Sequence, residues 1–318
     1  MKFTKEQFTE IKTQWLNNVK TKKGIIAQLD ADGLSSAYIL NKLTGLPVCG
    51  ITDLYNNIHG IGKGDKLSDY VFVDVEVFDS QIMSIGNHNN VTNEEVLDEL
   101  LKNRITSCLN PNYQFGTTVT DYTKKYPYST SLYLMELYGD DLDIESILSN
   151  DALKDSLVFA DGIYNNVWKY KANAKDWQGK LIENKTINDL MLNPLFEIAD
   201  RSAFERGLLE RMTKHFNGFD PRTKFDRNNK NGETLGDYNK KKTEHILTPF
   251  VSAGLITNVN FDKKIVLESK KFGSRFYNAI PREYHCDPIL IYENTFTINY
   301  IFQDTISLTN IPREDQYV

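Results

Sequence analysis

At 318 residues the chain is too long for one small domain, and its 40% hydrophobic and 25% charged residues describe a folded protein with a sizeable core. A formal net charge of −6 excludes a global basic field for gripping long nucleic acid, leaving only a local basic groove. Cys49, Cys108 and Cys286 form no CxxC pair and no zinc spacing, which fits a reducing compartment.

The opening MKFTKEQFTEIKTQW is polar and periodic, unlike a leader, and no run approaches the roughly 18 apolar residues of a membrane span. The cytoplasm is the expected address. Phe8, Ile11, Trp15 and Val19 mark the apolar stripe of a first helix. GIIAQLD, residues 24–30, reads as a buried strand, and Leu34 to Leu43 as the helix after it. Further strands are expected over 46–52, 70–75 and 81–85. Asn93 to Lys102 is a helix opened by an Asn cap with acidic residues in its first turn. Helices are also expected over 130–138 and 144–160. NNIHGIGKGDK, which contains His59, reads as a loop. Strands alternating with helices predict an α/β fold with a mostly parallel sheet flanked by helices, its site at the carboxyl ends of the strands.

From about His215 to Lys242 the composition turns to Asn, Lys, Asp and Gly, which reads as a connector or long surface loop. Its Arg222, Lys224, Arg227, Lys230 and Lys240 to Lys242 could line a phosphate groove, although a solvated loop is the simpler account of them. Strand-like runs follow at 263–269, 287–293, 295–302 and 304–309, with a helix expected over 269–280. The expected division is a domain at 1–205, a connector at 206–245 and a smaller α/β domain at 246–318.

Four segments carry candidate chemistry. In LDADGLSS, Asp30 and Asp32 leave a strand end, and Ser35 and Ser36 lie at the start of the next helix. Carboxylates are hard ligands suited to Mg²⁺ or Mn²⁺, and the N–H groups of a helix start can hold a phosphate. A turn plus a helix cap explains the same residues without any site. In YVFVDVEVFD, Asp74 follows four apolar or aromatic residues, where a charge is costly unless paired or metal-bound, and Glu76 and Asp79 compete for its role. His88 lies in SIGNHNN, among Asn residues. Asp161 ends the apolar run SLVFAD and precedes Gly162, a pattern that also serves as a helix stop.

In order, these segments resemble the DHH phosphoesterase superfamily, and within it the RecJ-like exonucleases and phosphodiesterases. LDADGLSS resembles the first family motif, VFVD the second, and GNHNN stands where the name-giving Asp-His-His falls. SLVFADGIYNNV resembles the fourth, and CLNPNYQF followed by YPYSTSLYLMELYG resembles the Asn-Pro segment and its helix. The likeness covers roughly residues 20–170, and the stretch from 263 onward resembles the family's associated substrate domain without its glycine-rich ending.

The resemblance implies hydrolysis of phosphodiester bonds in single-stranded nucleic acid, a short oligonucleotide or a signalling nucleotide, by a metal-activated hydroxide with one or two Mn²⁺ or Mg²⁺ ions. It implies Asp30 on one metal, Asp32 on the other, Asp74 bridging, and His88 with Asp161 completing the second, with Asp32, Asp74 and His88 central to catalysis. Ser35, Ser36 and Asn89 would face substrate. The chain departs from the pattern at Asn87-His88-Asn89, which keeps one of the two histidines, and at Gln28, where the family often has a ligand. The departures leave a second reading, a degenerate member that binds a nucleotide or protein partner without cleaving. The spacing of only 14 residues between Asp74 and His88 is also short for a strand–helix–strand crossover.

Overall fold

The run GIIA is buried at every position and forms β1, Gly24–Gln28. Such a continuous apolar run belongs inside a parallel sheet covered on both faces. In the computed structural model β1 pairs in parallel with β4, Tyr70–Val73, in the register Gly24↔Tyr70 through Ala27↔Val73. The structure describes residues 2–52, 57–88, 91, 93–215, 250–251, 254–256, 259, 263–266, 269–273, 295–302, 305–310 and 312.

The chain divides into two compact units, one of residues 1–28, 49–126 and 262–318, the other of residues 29–48 and 127–261. The first carries a seven-stranded sheet in the order β6-β5-β4-β1-β2-β3-β7, formed with β2 (Val48–Thr52), β3 (Asn57–His59), β5 (Met83–Ile85), β6 (Cys108–Leu109) and β7 (Lys264–Val266). Pairing is parallel from β6 through β5 and β4 to β1, and antiparallel at β2–β3 and β3–β7. The α/β class and the mostly parallel sheet are therefore as expected, with helices at its flanks. His59 differs from its expected loop: it closes β3 and is buried, because Ile51 and Lys264 pair with it from either side.

The crossover from β4 to β5, residues 74–82, contains no helix. It has no regular structure and buries Val75, Val77 and Ile82 in the same core as Ile26, Phe72 and Ile265. Hydrophobic burial thus does the work that a crossover helix usually does. Helix α1, Lys5–Val19, is fixed by a capping box at Thr4 and Gln7, and its Trp15 Nε1 donates to the Ser84 carbonyl. Helices α3 (Glu94–Arg104) and α4 (Pro111–Phe115) complete the unit's described helices of this type. A separate antiparallel sheet in the order β8-β10-β9 is built from β8 (Ser269–Gly273), β9 (Thr295–Phe302) and β10 (Thr305–Asn310). The helix expected at 269–280 is corrected here: Ser269 to Gly273 pair residue by residue with β10, so ladder pairing overrides local propensity. The remainder of that segment, the strand expected at 287–293, and the basic connector residues from Arg222 to Lys242 lie outside the described residues.

The second unit is helical. It contains α2 (Ala31–Thr44), α5 (Thr130–Leu137), α6 (Ile144–Ser149), α7 (Asp151–Phe159), α8 (Ile163–Lys169), α9 (Lys171–Leu181), α10 (Lys185–Ile187), α11 (Asn193–Glu197) and α12 (Arg201–His215). The single helix expected over 144–160 is two, because Asn150 takes an extended backbone, ends α6, and caps α7 through its side chain. Helix α2 packs on α5 and α7, and α7 packs on α12. Between α10 and α11 the chain widens into a π turn over Asn188–Leu192, just before Pro194. Proline lacks an N–H and crowds the carbonyl four residues back, so the ordinary helical ladder cannot continue through it. Among the described residues no helix is long and apolar enough to cross a membrane.

Candidate functional site

In the helical unit, three carboxylates converge at the start of α2. Asp30 has an extended backbone and is the N-cap, its Oδ1 accepting from the Gly33 N–H at 3.0 Å. The plain cap reading of LDADG is therefore true of Asp30. It does not account for Asp32, which lies in the first turn with 1% of its surface exposed. Asp32 reaches the start of α5, where the N–H groups of Thr130 and Ser131 donate to its two oxygens at 2.7 and 3.0 Å. Ser36 Oγ donates to Oδ1 at 3.2 Å. These donors favour the charged form, and so does the positive end of a helix. Burial opposes them most strongly, followed by the charges of Asp161 and Asp30, and the carboxyl is pushed up to about 7.

Asp161 is exposed and adopts φ 48° in the turn between α7 and α8. It and Asp74, at φ 61°, are the two non-glycine residues with positive φ among the described residues. Left-handed backbone costs an L-residue on the order of 1 kcal/mol or more, and such outliers concentrate where function holds them. Ser35 and Ser36 are fully buried, so the serines read from sequence as facing substrate lie on the inner side of α2.

In the sheet unit, Asp74 follows the last residue of β4 and is buried, its N–H donating to the Ile85 carbonyl at 2.8 Å. The turn at Asp74 ends β4 two residues earlier than expected. Glu76, 1% exposed, is not at the strand end but underneath the His88 loop. Its Oε1 accepts from the His88 backbone N–H at 2.7 Å and from Asn110 Nδ2 at 3.0 Å, while its Oε2 lies 3.2 Å from His88 Nδ1. Asn110 Nδ2 also donates to the His88 carbonyl at 2.8 Å, and Asn110 Oδ1 caps α4. Asn112 Nδ2 donates to the Asn87 carbonyl at 2.6 Å and its Oδ1 accepts from the Tyr126 N–H at 2.7 Å. The Asn-Pro segment is thus the bed of the histidine loop. His88 itself is half-buried, and Asn89 lies outside the described residues.

Comparison with protein-family models, with curated proteins and with solved structures returns no match. The functional reading therefore stands on residues alone. Sequence inspection singled out Asp30, Asp32, Asp74, His88 and Asp161, but it missed Thr130, Ser131, Asn110 and Asn112. Their partners lie 22 to 99 residues away, and no local pattern encodes such pairings. The available signal was CLNPNYQF, whose Asn110 and Asn112 flank a proline in the segment that resembles the family's Asn-Pro motif.

Proposed function

We propose that the chain is a metal-dependent phosphoesterase of the DHH type, hydrolysing phosphodiester bonds of a short oligonucleotide, a signalling nucleotide or single-stranded nucleic acid. The observation that carries this reading is the carboxylate cluster at the start of α2, where Asp161 and Asp30 hold up the proton affinity of buried Asp32. Mutually repelling carboxylates are stabilised when a cation joins them. Asp74 and His88 of the sheet unit, and separately Asp161 of the helical unit, are carboxylate and imidazole groups of the kind that suit Mn²⁺ or Mg²⁺. Asp32 accepts three hydrogen bonds, and a carboxylate has about four lone-pair sites, so it too can serve as a ligand.

In this proposal Asp30, Asp32, Asp74, His88 and Asp161 hold the ion or ions. A divalent cation so bound supplies Lewis-acid activation of water and of the phosphoryl group. The protein's share is orientation. Thr130 and Ser131 fix the Asp32 carboxylate from behind, and the left-handed turns at Asp74 and Asp161 aim side chains that an extended or helical backbone would direct elsewhere. Ser36 acts from within α2 by holding Asp32.

The test is hydrolysis of a chromogenic phosphodiester with Mn²⁺, comparing wild type with Asp32→Ala and Asp74→Ala. Each substitution is expected to lower the rate roughly 100-fold or more, since even changes behind a metal ligand cost about 10–100-fold. Activity that survives both substitutions ends the proposal. A second reading, binding of a nucleotide or protein partner without cleavage, draws on one observation: both Asp32 oxygens already clamp α2 to α5. Tight Mn²⁺-dependent nucleotide binding with no turnover would favour it.

A further inference from the structure

We infer that Glu76 is a positioning residue that sets the tautomer of His88, placing the proton on Nδ1 and leaving Nε2 as the nitrogen that meets a metal. The inference rests on the metal-site reading for what Nε2 does, but not for which nitrogen carries the proton.

The geometry is specific. Glu76 Oε1 is occupied by two N–H donors whose direction cannot be reversed, the His88 backbone amide at 2.7 Å and the Asn110 side-chain amide at 3.0 Å. The Asn110 amide is itself oriented, because its oxygen accepts the Asn112 N–H while its nitrogen serves Glu76 and the His88 carbonyl. Oε2 is the atom that faces His88 Nδ1, at 3.2 Å. With Glu76 ionised, both of its oxygens are acceptors, and the ring nitrogen that faces Oε2 is the donor. In neutral imidazole a proton on Nδ1 leaves the lone pair on Nε2. A carboxylate behind a ligating histidine is the usual way a protein fixes both ring orientation and tautomer.

A second observation shows that the seat is built for this carboxylate. Gly86 has no side chain where one would meet Glu76: a Cβ there would overlap Oε1 and Cδ. The chain just past β5 therefore leaves that space to Glu76. The same side chain ties together three segments, the β4–β5 crossover, the histidine loop and the Asn-Pro turn. This accounts for an acidic residue that lies 1% exposed yet was only a rival ligand when read from sequence.

The test uses the full chain and Glu76→Gln. The glutamine carbonyl is held at the Oε1 place by the same two donors, which puts its NH₂ opposite Nδ1. That NH₂ donates to Nδ1 and forces the proton to Nε2. Nitrogen-15 NMR of the metal-free protein at pH 8, with His88 assigned by loss of its signals in His88→Gln, reads the tautomer directly. Wild type should show protonated Nδ1 and bare Nε2, and Glu76→Gln should show the reverse. Mn²⁺ affinity by calorimetry should fall 10- to 100-fold in Glu76→Gln. A wild-type Nε2–H signal overturns the inference even if the variant fails to fold, and so does an unchanged tautomer in a folded variant. A reversed tautomer with unchanged Mn²⁺ affinity also overturns it. Wild-type protein that binds no Mn²⁺ while showing the expected tautomer switch defeats the phosphoesterase reading and leaves the control of His88 by Glu76 supported.

Discussion

The two units handle a buried carboxylate in opposite ways. Glu76 in the sheet unit lies among N–H donors from three segments, which hold it and its histidine in one arrangement. Asp32 in the helical unit also receives N–H donors, but Asp161 and Asp30 push against its charge. One site is satisfied by the fold itself; the other is left with negative charge for something else to neutralise. The contrast separates a buried acid held by its surroundings from one that also meets like charge, although the two look alike as acidic residues near apolar runs.

The largest effect should come from disturbing the satisfied side. Gly86→Ala drives a methyl into Glu76 and strips a buried acid of its donors, which should destabilise the fold by roughly 3 kcal/mol. Chemical denaturation checks this, and a near-neutral result would mean that Glu76 can be reseated at little cost. The unsatisfied side should show itself through pH. The folded-state pKa of Asp32 is raised, from 3.8 to about 7, so folding favours its protonated form. Its contribution to stability is present at low pH and is lost as the pH rises between those two values. Metal-free protein should therefore be about 2 kcal/mol less stable at pH 8 than at pH 5.5 on account of this group. Excess Mn²⁺ should remove the difference, as should Asp32→Asn. Thermal melts at the two pH values decide it, and a loss of stability on going down to pH 5.5 would contradict the electrostatics described.

Smaller effects serve as controls within each unit. Arg211 grips Asp155 through Nε and Nη2, both at 2.9 Å, and about half of the Arg211 side chain is exposed. Arg211→Ala should cost about 1–2 kcal/mol by leaving Asp155 buried without its main cation, with Mn²⁺ affinity unchanged. A shift in Mn²⁺ binding would show that the helical unit transmits strain to the carboxylate cluster. Thr4→Ala removes half of an exposed capping box and should cost about 1 kcal/mol, again without touching metal binding.

The parallel strands and the helix cap at Asn93 were legible because burial and capping leave local marks. GIIA and YVFV are continuous apolar runs, and Asn93 is the polar residue just ahead of its helix. The first turn of α2 was hidden, since Asp and Gly suit a turn as well as a helix start. The left-handed turn at Asp74 shortened β4 with no signal beyond the aspartate itself. The four acidic ligand candidates were nameable because acids beside apolar runs are unusual, and His88 because it is an imidazole set among Asn residues. Their supports were not, for Glu76 and Asn110 meet across 34 residues and Asp32 and Thr130 across 98. Sequence displays which groups are chemically odd; only the folded chain displays what holds them.

The left-handed turns at Asp74 and Asp161 bear on how this chain can change with time. One base change converts an aspartate codon to asparagine or glycine, and both residues accept that backbone with ease. Mutations that erase the negative charge at these two places would leave the local chain path relaxed, and selection for stability would not resist them. Descendants that kept the architecture while shedding either charge would lie a single nucleotide away.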